Sequence, residues 1–239
     1  MIKNVSQTIP YRYPQSFQSF KEETVKRQKK SYRTHAKSEI KAKTTTLATV
    51  GSVIGTTIAL LSIAKGHGKD IKNINNINKI KNIIDINYNA ADMCKVGAGS
   101  VIGGVVGGML ADGKDNDKAK VQEGVFQMLN IAFPAMLVEN GIKFISKRPS
   151  LNNTPVKLGV IAGGIATGMA AASVVANRFN DPNEVEPDRK LTAKDAIANI
   201  DDAMGALVLA KIPLASKLHF HRIVPAIFAW CGVRAGQSN

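Results

Sequence analysis

The run Val96-Gly97-Ala98-Gly99-Ser100-Val101-Ile102-Gly103-Gly104-Val105-Val106-Gly107-Gly108-Met109-Leu110-Ala111 carries no charge and places Gly99, Gly103 and Gly107 at every fourth position. Residues four apart share one face of a helix. The three glycines therefore predict a side-chain-free groove, a glycine zipper, against which a second helix packs at backbone contact. In water such a run is a poor helix, because each interior glycine costs about 1 kcal/mol relative to alanine. In lipid an unpaired backbone polar group is so costly that even a glycine-rich apolar run stays helical. The run reads as a membrane-spanning helix, and the chain as all-α: a small multi-span helical membrane bundle with glycine-zipper packing.

Working outward, Leu47 to Ala64 is a second uncharged block, long enough to cross a bilayer and carrying Gly51 and Gly55 in a GxxxG pair. On the other side of the central run a charged turn, Asp112 to Lys120, leads into Val125 to Ile145, apolar apart from Asn130, Glu139, Asn140 and Lys143. This pattern predicts a hairpin of two helices. Leu158 to Ala176 is again free of charge and holds Gly159, Gly163, Gly164 and Gly168. Ala203 to Leu218, broken by Lys211 and Pro213, and the short Ile223 to Val233 supply one further span or two short ones. The span count stands between four and six.

The two glycine blocks match at a constant offset: Gly99 with Gly159, Gly103 with Gly163, Gly104 with Gly164, Gly108 with Gly168, Met109 with Met169 and Ala111 with Ala171. That spacing predicts an internal repeat. Gly51-Ser-Val-Ile-Gly55 also repeats Gly99-Ser-Val-Ile-Gly103 letter for letter, and Pro134, Gly141 and Lys143 find a fainter echo in Pro225, Gly232 and Arg234.

Polar residues fill the gaps. A mean hydropathy of −0.05 hides their concentration at Met1 to Lys43, Gly66 to Asp92 and Asn177 to Asp202. Of the net charge of +14, much sits in residues 1–43, which hold eleven Lys and Arg against three Glu. The sequence divides into this basic tail (1–43), an apolar segment with an isoleucine-rich amphipathic helix (44–95), a glycine helix with a proline-containing partner (96–146), and a second glycine helix with an acidic insertion and C-terminal apolar helices (147–239). Lying just ahead of an apolar block, the tail suits the anionic headgroups of a bilayer better than nucleic acid. Its first twenty residues lack the apolar core of a signal peptide, so cleaved targeting is not expected. Ile71, Ile74, Ile77, Ile80, Ile83, Ile84 and Ile86 form one apolar stripe, suited to a helix lying in the headgroup region or covering the bundle.

Loop charges bear on topology. If every block spans and the tail is cytoplasmic, the basic loops 66–95 and 146–157 fall outside, which inverts the usual bias. If Leu47 to Ala64 dips in and returns, the tail, the isoleucine segment, Lys147-Arg148 and the C-terminus share the cytoplasmic side. The second arrangement is the expectation, with four full spans.

Little points to chemistry. Gly108 to Lys114 fits GxxxxGK, but Asp115 stands where a phosphate loop needs Ser or Thr, and Asp112 repels phosphate. Gly97, Gly99 and Gly103 lack the buried strand that a dinucleotide turn requires. His219 and His221 make a poor metal pair, the acidic insertion lacks a calcium loop, and Cys94 and Cys231 give neither a disulfide framework nor a metal spacing. No catalytic, cofactor or metal residue is assigned, and no enzyme is expected. Asn130, Glu139 and Lys211 are the candidate intramembrane polar groups. Three classes of function follow: a structural or assembly membrane protein that packs within the chain or against copies of itself; a small transporter or channel subunit with a path near Glu139 and Lys211; and a peripheral or soluble helical protein acting through its basic tail.

Overall fold

The computed structural model describes residues 40–69, 71, 83–183, 205–208, 210 and 219–239. The basic tail before residue 40, most of the isoleucine-rich segment, the acidic stretch from Glu184 and Lys211 lie outside the described residues. Within them every regular element is helical: α1 (Ala42–Gly66), α2 (Ala90–Asp112), α3 (Asp117–Ser146), α4 (Thr154–Asn180) and α5 (Val224–Gly236), with short 3-10 turns at Gly113–Asn116 and Phe220–Arg222.

Local chemistry sets the ends. Asn89 opens α2 with a reciprocal cap: its side chain accepts from the Asp92 amide at 2.9 Å while the Asp92 carboxylate reaches back to the Asn89 amide. Asn153 opens α4 with a one-way cap, its side chain accepting from Val156 N–H at 3.0 Å, with Pro155 in the first turn. Gly113, at φ 70°, ends α2 in a left-handed conformation that a side chain would strain. α3 starts eight residues before the apolar pattern of the sequence does, and of the polar residues there Lys120 and Glu123 are buried and bonded rather than solvated.

Four of the helices, α1 to α4, are long and apolar enough to cross a membrane. At 1.5 Å per residue they measure about 34 to 45 Å, against a hydrocarbon core of about 30 Å. α5 has 13 residues, about 20 Å, and is too short. Leu47 to Ala64 is part of one unbroken 25-residue helix, which corrects the expectation that this block dips in and returns. The uncharged middle has nothing to break it, since glycine-rich helices are held by the neighbours they allow to approach.

Side-chain contacts fix the order of ends. Thr44 and Lys120 meet Asp112, Lys120 also meets Ser238, and Gln122 meets Asn180, so the start of α1, the α2–α3 turn, the end of α4 and the C-terminus share one end of the bundle. His67 meets Asp92, and Asp85 meets Arg222, at the other end. The Lys147-Arg148 turn belongs to this second end, opposite Ala42, so the grouping expected from loop charges is also corrected.

Ile63, Met93, Val96, Ile131, Val138, Ile161, Val224 and Phe228 form the interior, into which Ala206 and Ala210 also pack. The outward faces stay apolar. Leu110 is 71% exposed, Val174 69% and Phe179 75%, and Ile54, Ile58, Ile102 and Met136 lie bare as well. Scattered apolar residues on a surface are ordinary; a shell of them on four helices of spanning length is what hydrocarbon, rather than water, accommodates.

Candidate functional site

α2 is the helix on which α1 and α5 close. Its two glycine rows, Gly99-Gly103-Gly107 and Gly104-Gly108, lie one residue and so about 100° apart around the axis, and each row meets a different neighbour. Toward α1, a methyl group on Gly103 would come closer than 3.0 Å to the Gly51 carbonyl, and one on Gly51 equally close to the Gly103 carbonyl. Gly55 and Gly99 stand in the same reciprocal relation, and Gly107 faces the Leu47 carbonyl. The identical pentapeptides Gly51–Gly55 and Gly99–Gly103 thus cross antiparallel, each covering the other.

The serine inside each pentapeptide completes the crossing. The Ser52 and Ser100 hydroxyls are 3.1 Å apart and fully buried. Ser52 donates to the Ala229 carbonyl at 2.5 Å, and Ser100 donates to the Phe228 carbonyl, so both hydroxyls are satisfied by α5. α5 comes this close because it carries its own glycines. A methyl on Gly104 would strike the Gly232 backbone, one on Gly108 the Gly236 backbone, and one on Gly232 both serine hydroxyls.

The second glycine block has different surroundings. Gly164 faces Val138 and Gly168 faces Pro134, both on α3, and Gly141 of α3 makes room for Val160. Gly159 and Gly163 meet nothing within 4 Å among the described residues, so the described helices leave the groove expected there unfilled. Positions matched by the sequence offset therefore differ in environment: Gly103 touches backbone, whereas Gly163 is open.

Of the intramembrane polar candidates, Glu139 accepts from the backbone N–H of Ala90, the first residue of α2, and pairs with Lys143 one turn on. Its carboxylate fastens α3 to the start of α2. Asn130 is 3% exposed and its Oδ1 has no hydrogen-bond partner among the described residues. Pro134 lies one turn on and lacks an N–H, which deprives the Asn130 main-chain carbonyl of its usual helical donor. Gln127 donates to Glu123 at 2.7 Å on the same buried face of α3. A cavity of about 10 Å³ lined by Met93, Ile131, Pro134, Ala135, Gly205, Ala206 and Phe228 holds at most one water.

Polar ties close both ends. Lys120, fully buried, donates to Asp112 Oδ2 and to the Ser238 carbonyl, each at 2.7 Å, and Thr44 donates to the other Asp112 oxygen. One ammonium thereby joins α2, α3 and the C-terminus, with α1 bonded through Asp112. At the other end His67 Nε2 lies 2.9 Å from the buried Asp92. Asp85 holds Arg222 at 3.0 Å with His221 Nε2 2.6 Å away. The bonded Arg222 guanidinium, with His221 beside it, keeps the Asp85 carboxyl below the usual carboxylate range, while burial, aided by the charge of Asp92, pushes the Tyr88 phenol up.

The sequence pattern does not single out Gly232 and Gly236 as packing residues, although they form a GxxxG pair, because the uncharged block around them is short. In it Asp112 and Lys120 read as turn charges. Among the described residues no group of three or more His, Cys, Asp and Glu side chains is placed to hold a metal ion. The chain matches no family model, no curated protein and no solved structure.

Proposed function

We propose that this chain is an integral membrane protein of structural or assembly type, its helices joined through glycine faces and its basic N-terminal segment resting on the anionic cytoplasmic leaflet. The observation that carries the reading is the apolar outer shell on four helices of spanning length. The glycine-zipper part is supported by the reciprocal approach of Gly51-Gly55 and Gly99-Gly103, where only hydrogen fits. Without a hydrophobic drive between helices in lipid, close backbone packing and buried hydroxyl bonds such as those of Ser52 and Ser100 are the forces left to hold helices together. Gly159 and Gly163, open among the described residues, leave a face for another copy.

Alkaline carbonate extraction of membranes from expressing cells tests the reading. The protein should remain in the membrane pellet; release into the supernatant contradicts integral insertion and favours a peripheral role for the basic tail. A second reading, a small transporter or channel subunit, draws on the unpartnered Asn130 Oδ1 and the carbonyl that Pro134 leaves without a donor, since polar groups at membrane depth mark solute paths. Asn130→Leu should then abolish flux in reconstituted vesicles while leaving the fold intact; unchanged flux removes that path.

A further inference from the structure

The turn joining α3 to α4 carries a charge pattern that the packing of the bundle does not use. From Asn140 to Asn180 the chain has no Asp or Glu, while Lys143, Lys147, Arg148 and Lys157 lie at or beside the turn. Lys143 is neutralised by Glu139. Among the described residues, Lys147, Arg148 and Lys157 have no carboxylate partner, and Lys147 and Arg148 are exposed. Three cations without a carboxylate among the described residues, at the end of two membrane-length helices, suit an anion supplied by the surroundings.

The aromatic contact says which kind. The Arg148 guanidinium lies 4.3 Å over the centre of the Phe144 ring, an arrangement that holds a cation at a fixed height. Phe144 is 54% exposed and Leu158 46%. Because Gly141 meets Val160 and Gly164 meets Val138 across the hairpin, Phe144 and Leu158 stand at one level, with Lys157 beside them and Lys147 and Arg148 one turn above. Charge above and bare apolar side chains below reproduce the vertical order of a phospholipid, phosphate over acyl chain. A soluble polyanion has no use for the lower half.

We propose that the α3–α4 turn is a binding site for an anionic phospholipid, with Arg148 taking the phosphate in its planar fork, Lys147 and Lys157 supplying further charge, and the acyl chains lying against Phe144 and Leu158. The site rests on the membrane reading above. It stands at the end of the bundle opposite Ala42, so it is separate from any headgroup contact of the N-terminal segment.

The test is lipid retention by the purified full chain in detergent, read by native mass spectrometry during titration with phosphatidylglycerol or phosphatidylcholine. Wild-type protein should retain phosphatidylglycerol in preference. Each surface cation contributes about fivefold in affinity, so K147Q/R148Q/K157Q should weaken retention about a hundredfold with unchanged helicity. F144A, which keeps every charge but removes the ring beneath Arg148, should weaken it severalfold. Equal retention of the two lipids by wild type, or undiminished phosphatidylglycerol retention by the triple variant, overturns the site. Loss of phosphatidylglycerol on K26Q/K29Q/K30Q instead moves the binding to the N-terminal segment and also overturns it. A chain that stays monodisperse once detergent is removed contradicts the membrane reading itself, an outcome distinct from the others.

Discussion

Glycine has two meanings in this chain, and neighbours decide which applies. At Gly103 a single added methyl group meets the Gly51 backbone, which cannot rotate away as a side chain would. Gly103→Ala should therefore destabilise the bundle by about 1–3 kcal/mol, the usual cost of overpacking, seen as a lower thermal midpoint in detergent. Gly163→Ala, facing open space, should change the same midpoint by no more than the difference in helix propensity, about 1 kcal/mol, and in the favourable direction. Equal losses from both substitutions would remove the distinction. Lys120 gives a second test at this scale. Lys120→Met leaves the Asp112 carboxylate buried without its cation, which should cost about 3–5 kcal/mol, whereas combining it with Asp112→Leu should recover most of the loss. A double variant no more stable than the single one would mean that the pair is not the source of the stability.

Among elements, what could be read in advance depended on whether the signal was local. Uncharged runs with glycine every fourth residue announced α1, α2 and α4, because in such a run the helical pattern and the packing face are written by the same residues. The partner of each face was not written there. That the Gly51 and Gly99 pentapeptides face each other is a long-range fact, and their identity in sequence hints at it only once the helices are known to be antiparallel. α5 was legible only as a short apolar block, since its glycines gain meaning from Gly104 and Gly108 on α2. The partners of charges next to apolar runs are not written locally: Glu139, a candidate for a solute path, accepts from the start of α2, while Lys120, within the charged stretch between two apolar runs, is fully buried. The connecting segments offer a pH test at this scale. Asp85 has a folded pKa below its ordinary value of about 3.9, so the stability it contributes is present above that value and is lost as pH falls through the lowered one. Its half-exposed position makes the contribution small. Hydrogen exchange at residues 83–89 should be slow at pH 6 and, after correction for intrinsic rates, faster once the pH is taken below the ordinary carboxylate range; protection unchanged over that acid titration would show that Asp85 does not hold this segment to Arg222.

At the scale of the molecule the bundle is apolar outside, packed by close backbone contacts inside, and tied by polar groups at its two ends. A water-soluble helical protein covers its helix faces with charges; here those outward faces are apolar, as the interior is. The polar ties fall where a bilayer would end, Lys120 with Asp112 at one level and Asp92 with His67 at the other. α1 runs the whole distance between them. If the outer shell lies in lipid, the start of α1 and the α3–α4 turn must emerge on opposite sides of the membrane. The most direct measurement places a single cysteine at Lys41 or at Ser150, in a chain with Cys94 and Cys231 replaced, and labels sealed vesicles with a membrane-impermeant maleimide before and after permeabilisation. One position should be labelled in intact vesicles and the other only after they are opened; labelling of both in intact vesicles, on vesicles shown to be sealed, would contradict the spanning bundle.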